Sequence, residues 1–415
     1  MTSTRQNIPP GYSKEIHIIG GGTVFHVRAH LALSAVAYGT TARRLYDFCQ
    51  GTKLATHLWL TKMAGDTNGP ETNDDVEKII DDLIQHSKTK IIFFNAAMVD
   101  FEGWVDIEDY AGKYAERLSS AHDHILHLTA ANKIIRKIRK ERKDIFLVGF
   151  KTTCGENPHE QYRKGLKLLK ESSCNLVLAN DIKTRVNMII TPEEAKYHQT
   201  TDRDDALRQL VDMSILRSHL TFTRSTVVDG VPISWKSTLV PSTLRTVVEW
   251  CINNNAYKPF NGATVGHFAA KIGDGHFITS RRKTNFNDLP TIGMVEIKTD
   301  GDDSVIAYGA KPSVGGQSQR IIFSEHPEYD CIVHFHCPKW DHSQVPVVSQ
   351  REYECGSHEC GKNTSRGLQR FGNLSAVMLD NHGPNIVFNH NISPQEVIDF
   401  INENFDLSAK TGGPV

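Results

Sequence analysis

The chain has 415 residues, with 47 Lys and Arg against 48 Asp and Glu and so a formal charge of −1. At roughly 150 residues per domain this length allows two or three domains with real cores, and 39% hydrophobic with 23% charged residues excludes wholesale disorder. Near neutrality argues against a dedicated nucleic-acid binder, because affinity for phosphate backbones needs an excess of Lys and Arg.

In chain order, Glu15–Ile19 reads as a strand opening into Gly20-Gly21-Gly22-Thr23, followed by a helix from about Arg28 to Tyr38. His57–Thr61 is a second strand. Asp74–His86 carries Val76, Ile79, Ile80, Leu83 and Ile84 at helical spacing. Lys90–Phe94 is a third strand, and Ala130–Arg142 is a basic helix with Ile134, Ile135 and Ile138 on one face. A strand at Ile145–Phe150, a helix at Gln161–Glu171 and a strand at Leu176–Ala179 follow. Strands alternating with helices predict βαβ units and a parallel sheet covered on both faces. Thr200–Ser218 reads as a helix with Leu207, Leu210, Val211 and Leu216 inward, and the irregular stretch Thr221–Pro241 is the expected domain boundary.

After a helix at Thr243–Asn253 the pattern changes to strands in close succession, at Phe268–Ile272, His276–Thr279, Gly293–Lys298 and Val305–Tyr308. Gly273-Asp274-Gly275 and Asp300-Gly301-Asp302-Asp303 supply the turns. A helix at Gln317–Ser324, strands at Asp330–Phe335, Ala376–Leu379 and Asn385–Phe388, and a helix at Pro394–Asn404 complete the chain. The expected fold class is α/β, with a Rossmann-like parallel-sheet domain over residues 1–225 and an α/β domain with a mostly antiparallel sheet over 240–415.

Eight cysteines in this length are too sparse for a disulfide-stapled secreted domain. The opening residues Met1–Pro10 lack the apolar core of a signal peptide, and no apolar run reaches the roughly 18–20 residues a membrane span needs. A cytoplasmic protein with free thiols, no membrane partner and no nucleic-acid partner is expected. The basic run Lys133–Lys143 reads as a solvated helix face.

Chemistry-bearing residues gather in each half. In the first, the glycine turn is joined by Asp100 after Asn95-Ala96-Ala97-Met98-Val99, by Phe150-Lys151, and by Asn180-Asp181, all at the carboxyl ends of strands, where open α/β sheets place their ligand crevice. In the second, Cys331-Ile332-Val333-His334-Phe335-His336 ends a strand in His-x-His. Alternating side chains put His334 and His336 on one side, and His382-Gly383 offers a third imidazole at a strand end. Of the 20 histidines, these three make a catalytic-type divalent-metal site, zinc being the first choice.

The first set resembles the phosphopantothenoylcysteine synthetase family, the ligase half of the coenzyme A flavoprotein, over about residues 14–220. Gly21-Gly22-Thr23, Val27-Arg28, Ala96-Ala97-Met98-Val99-Asp100-Phe101, Gly149-Phe150-Lys151 and Leu178-Ala179-Asn180-Asp181 match its ordered motifs. The resemblance implies a CTP or ATP site with Mg2+, using Gly21, Gly22, Thr23, Arg28, Asp100, Phe150, Lys151, Asn180 and Asp181. Ala32 stands where the family has an Asn that handles the activated carboxylate, which implies altered ligase chemistry.

The second set resembles the class II aldolase and adducin family over about residues 243–405. Gly266-His267-Phe268-Ala269, Thr279-Ser280-Arg281, Lys311-Pro312-Ser313-Val314-Gly315, His334/His336 and Asn381-His382-Gly383 occupy its motif positions. The resemblance implies zinc on His334, His336 and His382, and a phosphorylated substrate held by Ser280, Arg281, Lys311 and Ser313. Gly315 stands where the family has its catalytic Glu, leaving His267, Glu352, Glu354 or Glu359 as the substitute base, with His267 and Glu359 preferred. Cys355, His358 and Cys360 line the site mouth or hold a second metal.

Together these imply a two-domain zinc-dependent lyase, epimerase or dehydratase acting on a small phosphorylated hydroxy-carbonyl compound, fused to a divergent nucleotide-dependent ligase-like domain. The alternatives are a pantothenate ligase with an aldolase-fold oligomerisation module, or a non-catalytic adducin-like assembly protein. A homo-oligomer, dimer or tetramer, is implied by both families.

Overall fold

A computed structural model describes residues 14–106, 111–302, 304–313 and 316–413. The chain forms two compact units, Met1–Ile190 with His198–Ser218, and Thr191–Tyr197 with His219–Val415. Seven residues that interrupt the first unit in sequence thus group with the second.

The first unit contains β1 (Glu15–Gly22), β2 (Val24–Arg28), β3 (Leu31–Ser34), α1 (Thr40–Cys49), β4 (Ala55–Leu60), α2 (Asn73–Gln85), β5 (Thr89–Ala97), β6 (Phe101–Val105) and β7 (Leu126–Ala130). It continues through α3 (Ile135–Glu141), β8 (Phe146–Thr153), α4 (Pro158–Ser172), β9 (Leu176–Asp181), β10 (Asn187–Ile190), β11 (Lys196–Thr200, whose first two residues group with the second unit) and α5 (Arg203–Ser218). The main sheet runs β11-β10-β9-β8-β5-β1-β4. β4, β1, β5, β8 and β9 pair parallel, and β10 is antiparallel to β9. Counted along the chain, the parallel strands stand in the order 2-1-3-4-5, which reverses between β1 and β5 and opens a crevice there. α2 starts on a Thr72–Asp75 capping box and buries Val76, Ile80, Leu83 and Ile84.

Three sequence expectations need correction here. Residues 24–34 form the β2–β3 hairpin and not a helix; helix formation waits for Thr40, after Gly39 in the left-handed region. The glycine turn therefore delivers the chain into a hairpin, not onto a helix N-terminus. Residues 126–130 are a strand, so the basic helix shortens to Ile135–Glu141. Leu216 is 41% exposed. The basic run is neutralised locally, by Lys133 on Asp100, Arg136 on Glu171, Lys137 on Glu77 and Asp81, and Arg142 on Asp144.

His17 lies buried on β1, its Nδ1 accepting from the Trp59 indole at 3.3 Å and its ring stacked on His57 at 4.9 Å. Burial, and then His57, lower its pKa to about 4. Below pH 6.5 the unfolded chain takes a proton that the folded chain refuses until about pH 4. The stability of this unit therefore falls as pH drops through that window, by up to about 3 kcal/mol. Hydrogen exchange of the β1, β4 and β5 amides at pH 7 and 4.5 will show the loss, and His17→Phe will flatten it; an equally steep loss in the variant refutes His17 as the cause.

The second unit is built on β12 (Arg224–Val228), α6 (Ser242–Asn253), β13 (Pro259–Phe260), β14 (Ala263–Thr264), β15 (His267–Gly273), β16 (His276–Thr279), α7 (Leu289–Ile292), β17 (Val295–Thr299), β18 (Ser304–Tyr308) and α8 (Gly316–Glu325). It ends with β19 (Cys331–His334), β20 (Val347–Val348), α9 (His358–Gly367), β21 (Gln369–Phe371), β22 (Leu374–Leu379), β23 (Gly383–Phe388) and α10 (Pro394–Asn404). The sheet runs β12-β18-β17-β16-β15-β19-β23-β22-β20, with β21 on β22. Among the described residues of this sheet, only the β12–β18 and β20–β22 pairs are parallel. β12 falls inside the stretch expected to be irregular. Side-chain alternation sorts the core into two layers. Phe268, Ala270, Cys331 and Val333 pack with Val247, Val397 and Ile401 from α6 and α10, while Ala269, Ile332 and Val387 pack with Ile322 and Phe323 from α8. No described helix is long and apolar enough to cross a membrane.

Candidate functional site

In the first unit the carboxyl ends of β1 and β5 meet in register, Gly21 against Ala96 and Gly22 against Ala97. Thr23 is fully buried. Its hydroxyl donates to Asn73 Oδ1 at 2.7 Å and accepts the Val99 amide at 2.9 Å, tying the β1 end to the segment before Asp100. Phe150 and Lys151 extend β8, and Asn180 accepts from Thr152 Oγ1 at 3.3 Å on the neighbouring strand. Arg28 is buried on β2, its guanidinium donating to Val27 O. Asp181 ends β9. Its carboxylate accepts the Thr153 hydroxyl and the amides of Gly155, Glu156, Lys183 and Thr184, all within 3.0 Å. Burial opposes the charge, but these donors outweigh it and hold the carboxyl well below the usual range. These bonds tie Asp181 to the loops that follow β8 and β9.

In the second unit His334 closes β19, between His267 on β15 and Asn385 on β23. It shares the parity of Ile332 and so faces the α8 layer. The regular strand ends at His334, yet His336 still reaches the same point, while Phe335 turns into the opposite layer against Tyr257 and Phe405. His382 arrives on the turn between β22 and β23, where Asn381 takes a left-handed φ of 54°. Two close backbone approaches frame the strand end: a Cβ on Gly266 would lie 2.5 Å from His334 O, and one on Gly383 would lie 2.0 Å from Phe335 O.

The three imidazoles offer ligand atoms within 4.8 Å of one another, and all three rings are buried. Ring centroids stand 5.1 Å (His334–His336), 4.6 Å (His334–His382) and 4.7 Å (His336–His382) apart. His334 Nδ1 lies 2.7 Å from Pro384 O. A carbonyl oxygen only accepts, so Nδ1 carries the proton and Nε2 keeps its lone pair. That Nε2 is buried and has no hydrogen-bond partner. Burial lowers the His334 pKa to about 4, so the lone pair is present at neutral pH. A buried, unprotonated, unpartnered imidazole nitrogen facing two more imidazoles fits a divalent metal by donor type and number.

The other expected residues are placed as follows. His267 is buried beside His334, rings 4.7 Å apart, with Nδ1 2.6 Å from the Gln319 side-chain amide. Burial, and then His334, push its pKa well below 6.5. The ring packs beside His334 and is held by Gln319. Glu359 lies in the first turn of α9, where its two oxygens accept the Thr221 amide at 3.0 and 3.2 Å. Glu352 accepts from Ser349 and lies 3.6 Å from Arg351, while Glu354 is buried. Ser280–Arg281 and Lys311–Ser313 form adjoining loops: Arg281 bridges Pro312, Ser313 N donates to Ser280 O and Arg282 N donates to Lys311 O. The Ser280 hydroxyl is buried without a partner, and Arg281 donates to Ile292 O. Gly315 lies outside the described residues. Cys355, His358 and Cys360 do not form a metal cluster among the described residues; Cys360 is buried in α9 beside Gln350.

Sequence reasoning missed the surroundings of the histidines. Thr411 donates its amide to His336 O at 3.1 Å and its hydroxyl to His382 O. Tyr197 donates its hydroxyl to Asp380 O at 3.0 Å.

No protein-family model matches the chain, and no curated protein matches it. Among solved structures it is similar to a DNA/pantothenate metabolism flavoprotein from Streptococcus pneumoniae, at 16% identity and a TM-score of 0.42, over 48% of this chain and 97% of that one. It is also similar to L-fuculose 1-phosphate aldolase, at 15% identity and a TM-score of 0.32, over 40% and 82%. A third is an aldolase/epimerase/decarboxylase-type protein, YgbL from Escherichia coli, at 17% identity and a TM-score of 0.28, over 39% and 82%. Each likeness covers about half of this chain.

Proposed function

We propose that the second unit is a divalent-metal lyase, epimerase or dehydratase acting on a small hydroxy-carbonyl compound with an anionic group, and that the first unit binds a nucleotide. One observation carries the first part: the bare, buried Nε2 of His334 converging with His336 and His382. These three residues would hold the metal, which when bound supplies Lewis acidity for the negative charge that develops on a carbonyl substrate. The chain's own residues do the rest. Pro384 O fixes the His334 tautomer, His267 packs that ring in place, and the paired loops at Ser280–Arg281 and Lys311–Ser313 receive the anionic group. The unpartnered Ser280 hydroxyl is their available donor. Glu359, which accepts the Thr221 amide, and His267 are the acid/base candidates of this reading.

Metal analysis of the full-length native protein tests the first part. We expect one equivalent of zinc or a similar divalent ion per chain, and metal-dependent turnover of a sugar phosphate in a panel of phosphorylated aldoses and ketoses. Protein that neither carries nor takes up metal refutes it and favours an adducin-like assembly role.

The second part rests on the strand-order reversal beside Gly21–Thr23 and Ala96–Asp100. Calorimetry with CTP and with ATP, each with Mg2+, tests it; binding should weaken in Lys151→Ala, and no heat from either nucleotide refutes it. Release of pyrophosphate or nucleoside monophosphate with phosphopantothenate and cysteine would restore the ligase reading despite Ala32.

A further inference from the structure

Residues Thr191–Tyr197 belong to the second unit although their sequence neighbours on both sides belong to the first. They form a tight turn, Thr191 N donating to Ala195 O and Glu194 N to Thr191 O, with Glu194 in the left-handed region at φ 66°. An uncommon backbone conformation at a non-glycine residue has to be maintained by its surroundings, and such positions gather at functional sites. Here it directs the Glu194 carboxylate onto Lys410 at 2.8 Å, with side chains only 3% and 5% exposed.

Lys410 precedes Thr411, which holds the backbone of two members of the histidine triad at once, His336 through its amide and His382 through its hydroxyl. From the same seven-residue segment Tyr197 holds Asp380, two residues before His382. The segment thus reaches the cluster twice, directly at Asp380 through Tyr197 and, through the Glu194–Lys410 pair, at the residue next to Thr411. We infer that the Glu194–Lys410 ion pair is the positioning device of the histidine site: it sets Thr411, and through Thr411 the spacing of His336 and His382.

This rests on the proposed metal role of the triad, and the test separates the two. Zinc affinity of the full-length protein is measured by competition with a chromogenic chelator, and the visible absorption of the Co2+-loaded protein reports ligand geometry. Groups that orient metal ligands typically contribute 10–100-fold to affinity. Glu194→Gln and Lys410→Met should each weaken zinc binding by roughly that factor and change the Co2+ bands. Because the two act as one unit, the double variant should lose no more than the worse single one.

Two further variants keep the inference testable should the ion-pair variants fail to fold. Thr411→Val removes only the hydroxyl bond to His382 and should weaken zinc binding, whereas Thr411→Ser should retain it. Lys362→Met, which breaks the ion pair with Glu325 elsewhere in the same unit, should leave affinity and Co2+ bands unchanged. Wild-type protein that binds no zinc overturns the metal role and this inference together. Wild-type affinity in Glu194→Gln and Thr411→Val, or losses that multiply in the double variant, overturns this inference alone.

Discussion

His334→Ala is expected to empty the metal site while leaving the unit folded. His334 is the member of the triad whose proton is assigned by its surroundings, since Pro384 O obliges Nδ1 to donate and leaves Nε2 bare. Removing it leaves two ligands, fewer than the three that catalytic sites of this type use. The affinity loss should exceed the roughly 10–100-fold typical of a group that merely orients a ligand, and turnover should fall with it. The fold should survive, because Val333, Ile332 and Cys331 of β19 still pack on both faces of the sheet. Metal analysis, chelator competition and circular dichroism on the same preparation decide the matter. Full metal occupancy in the variant would remove His334 from the ligand set. Loss of metal together with loss of secondary structure would make the histidine a packing residue.

The triad was legible because its chemistry is local: two imidazoles two apart on an apolar strand, and a third followed by glycine at another strand end. Long amphipathic or uniformly apolar elements were legible for the same reason. The Asp74–His86 helix, the β5 and β8 strands and the closing helix at Pro394–Asn404 all follow the predicted pattern. What sequence hid was of two kinds. Short elements with mixed patterns were misread, as in Val24–Ser34, where neither helical nor alternating spacing dominates and hydrogen bonding across a hairpin decides. Helix α9 was missed because Gly361, Asn363 and Thr364 are poor helix formers. Its Ser357 cap on the Cys360 amide and its burial against α8 compensate. Long-range partnerships left no local signal at all. Nothing near Glu194 points to Lys410, and nothing near Asp181 shows that five donors already occupy it. His267 and Asp181 both have the right chemistry for the roles expected of them, and their surroundings are what the sequence does not display. Burial beside His334, and the four amides and one hydroxyl gathered on Asp181, come from contacts distant in the pattern.

Gly383→Ala is expected to be among the most damaging single substitutions in the second unit. A Cβ at this position would lie 2.0 Å from Phe335 O and 3.2 Å from the His336 Cα. Both are backbone atoms, so no side chain can rotate away to relieve the overlap. β23 must move off the residues that join His334 to His336, and β23 is also held by β19 and β22 on its two edges. Overpacking of a rigid site costs typically 1–3 kcal/mol, and a clash carried entirely by backbone belongs at or above the top of that range. At that cost the melting temperature should fall by several degrees or more. Metal binding should fall further than stability alone requires, because the displaced segment carries His382 at one end and faces His336 at the other. Gly372→Ala is the comparison. That glycine has a positive φ of 59°, unlike Gly383, but its Cβ would meet only the Glu396 carboxylate, at 3.5 Å. It should cost stability through backbone strain and leave zinc affinity unchanged. If Gly383→Ala keeps wild-type zinc affinity, the close approach at Phe335 is not what holds the triad together, and the spacing of His336 and His382 must be set by Thr411 alone.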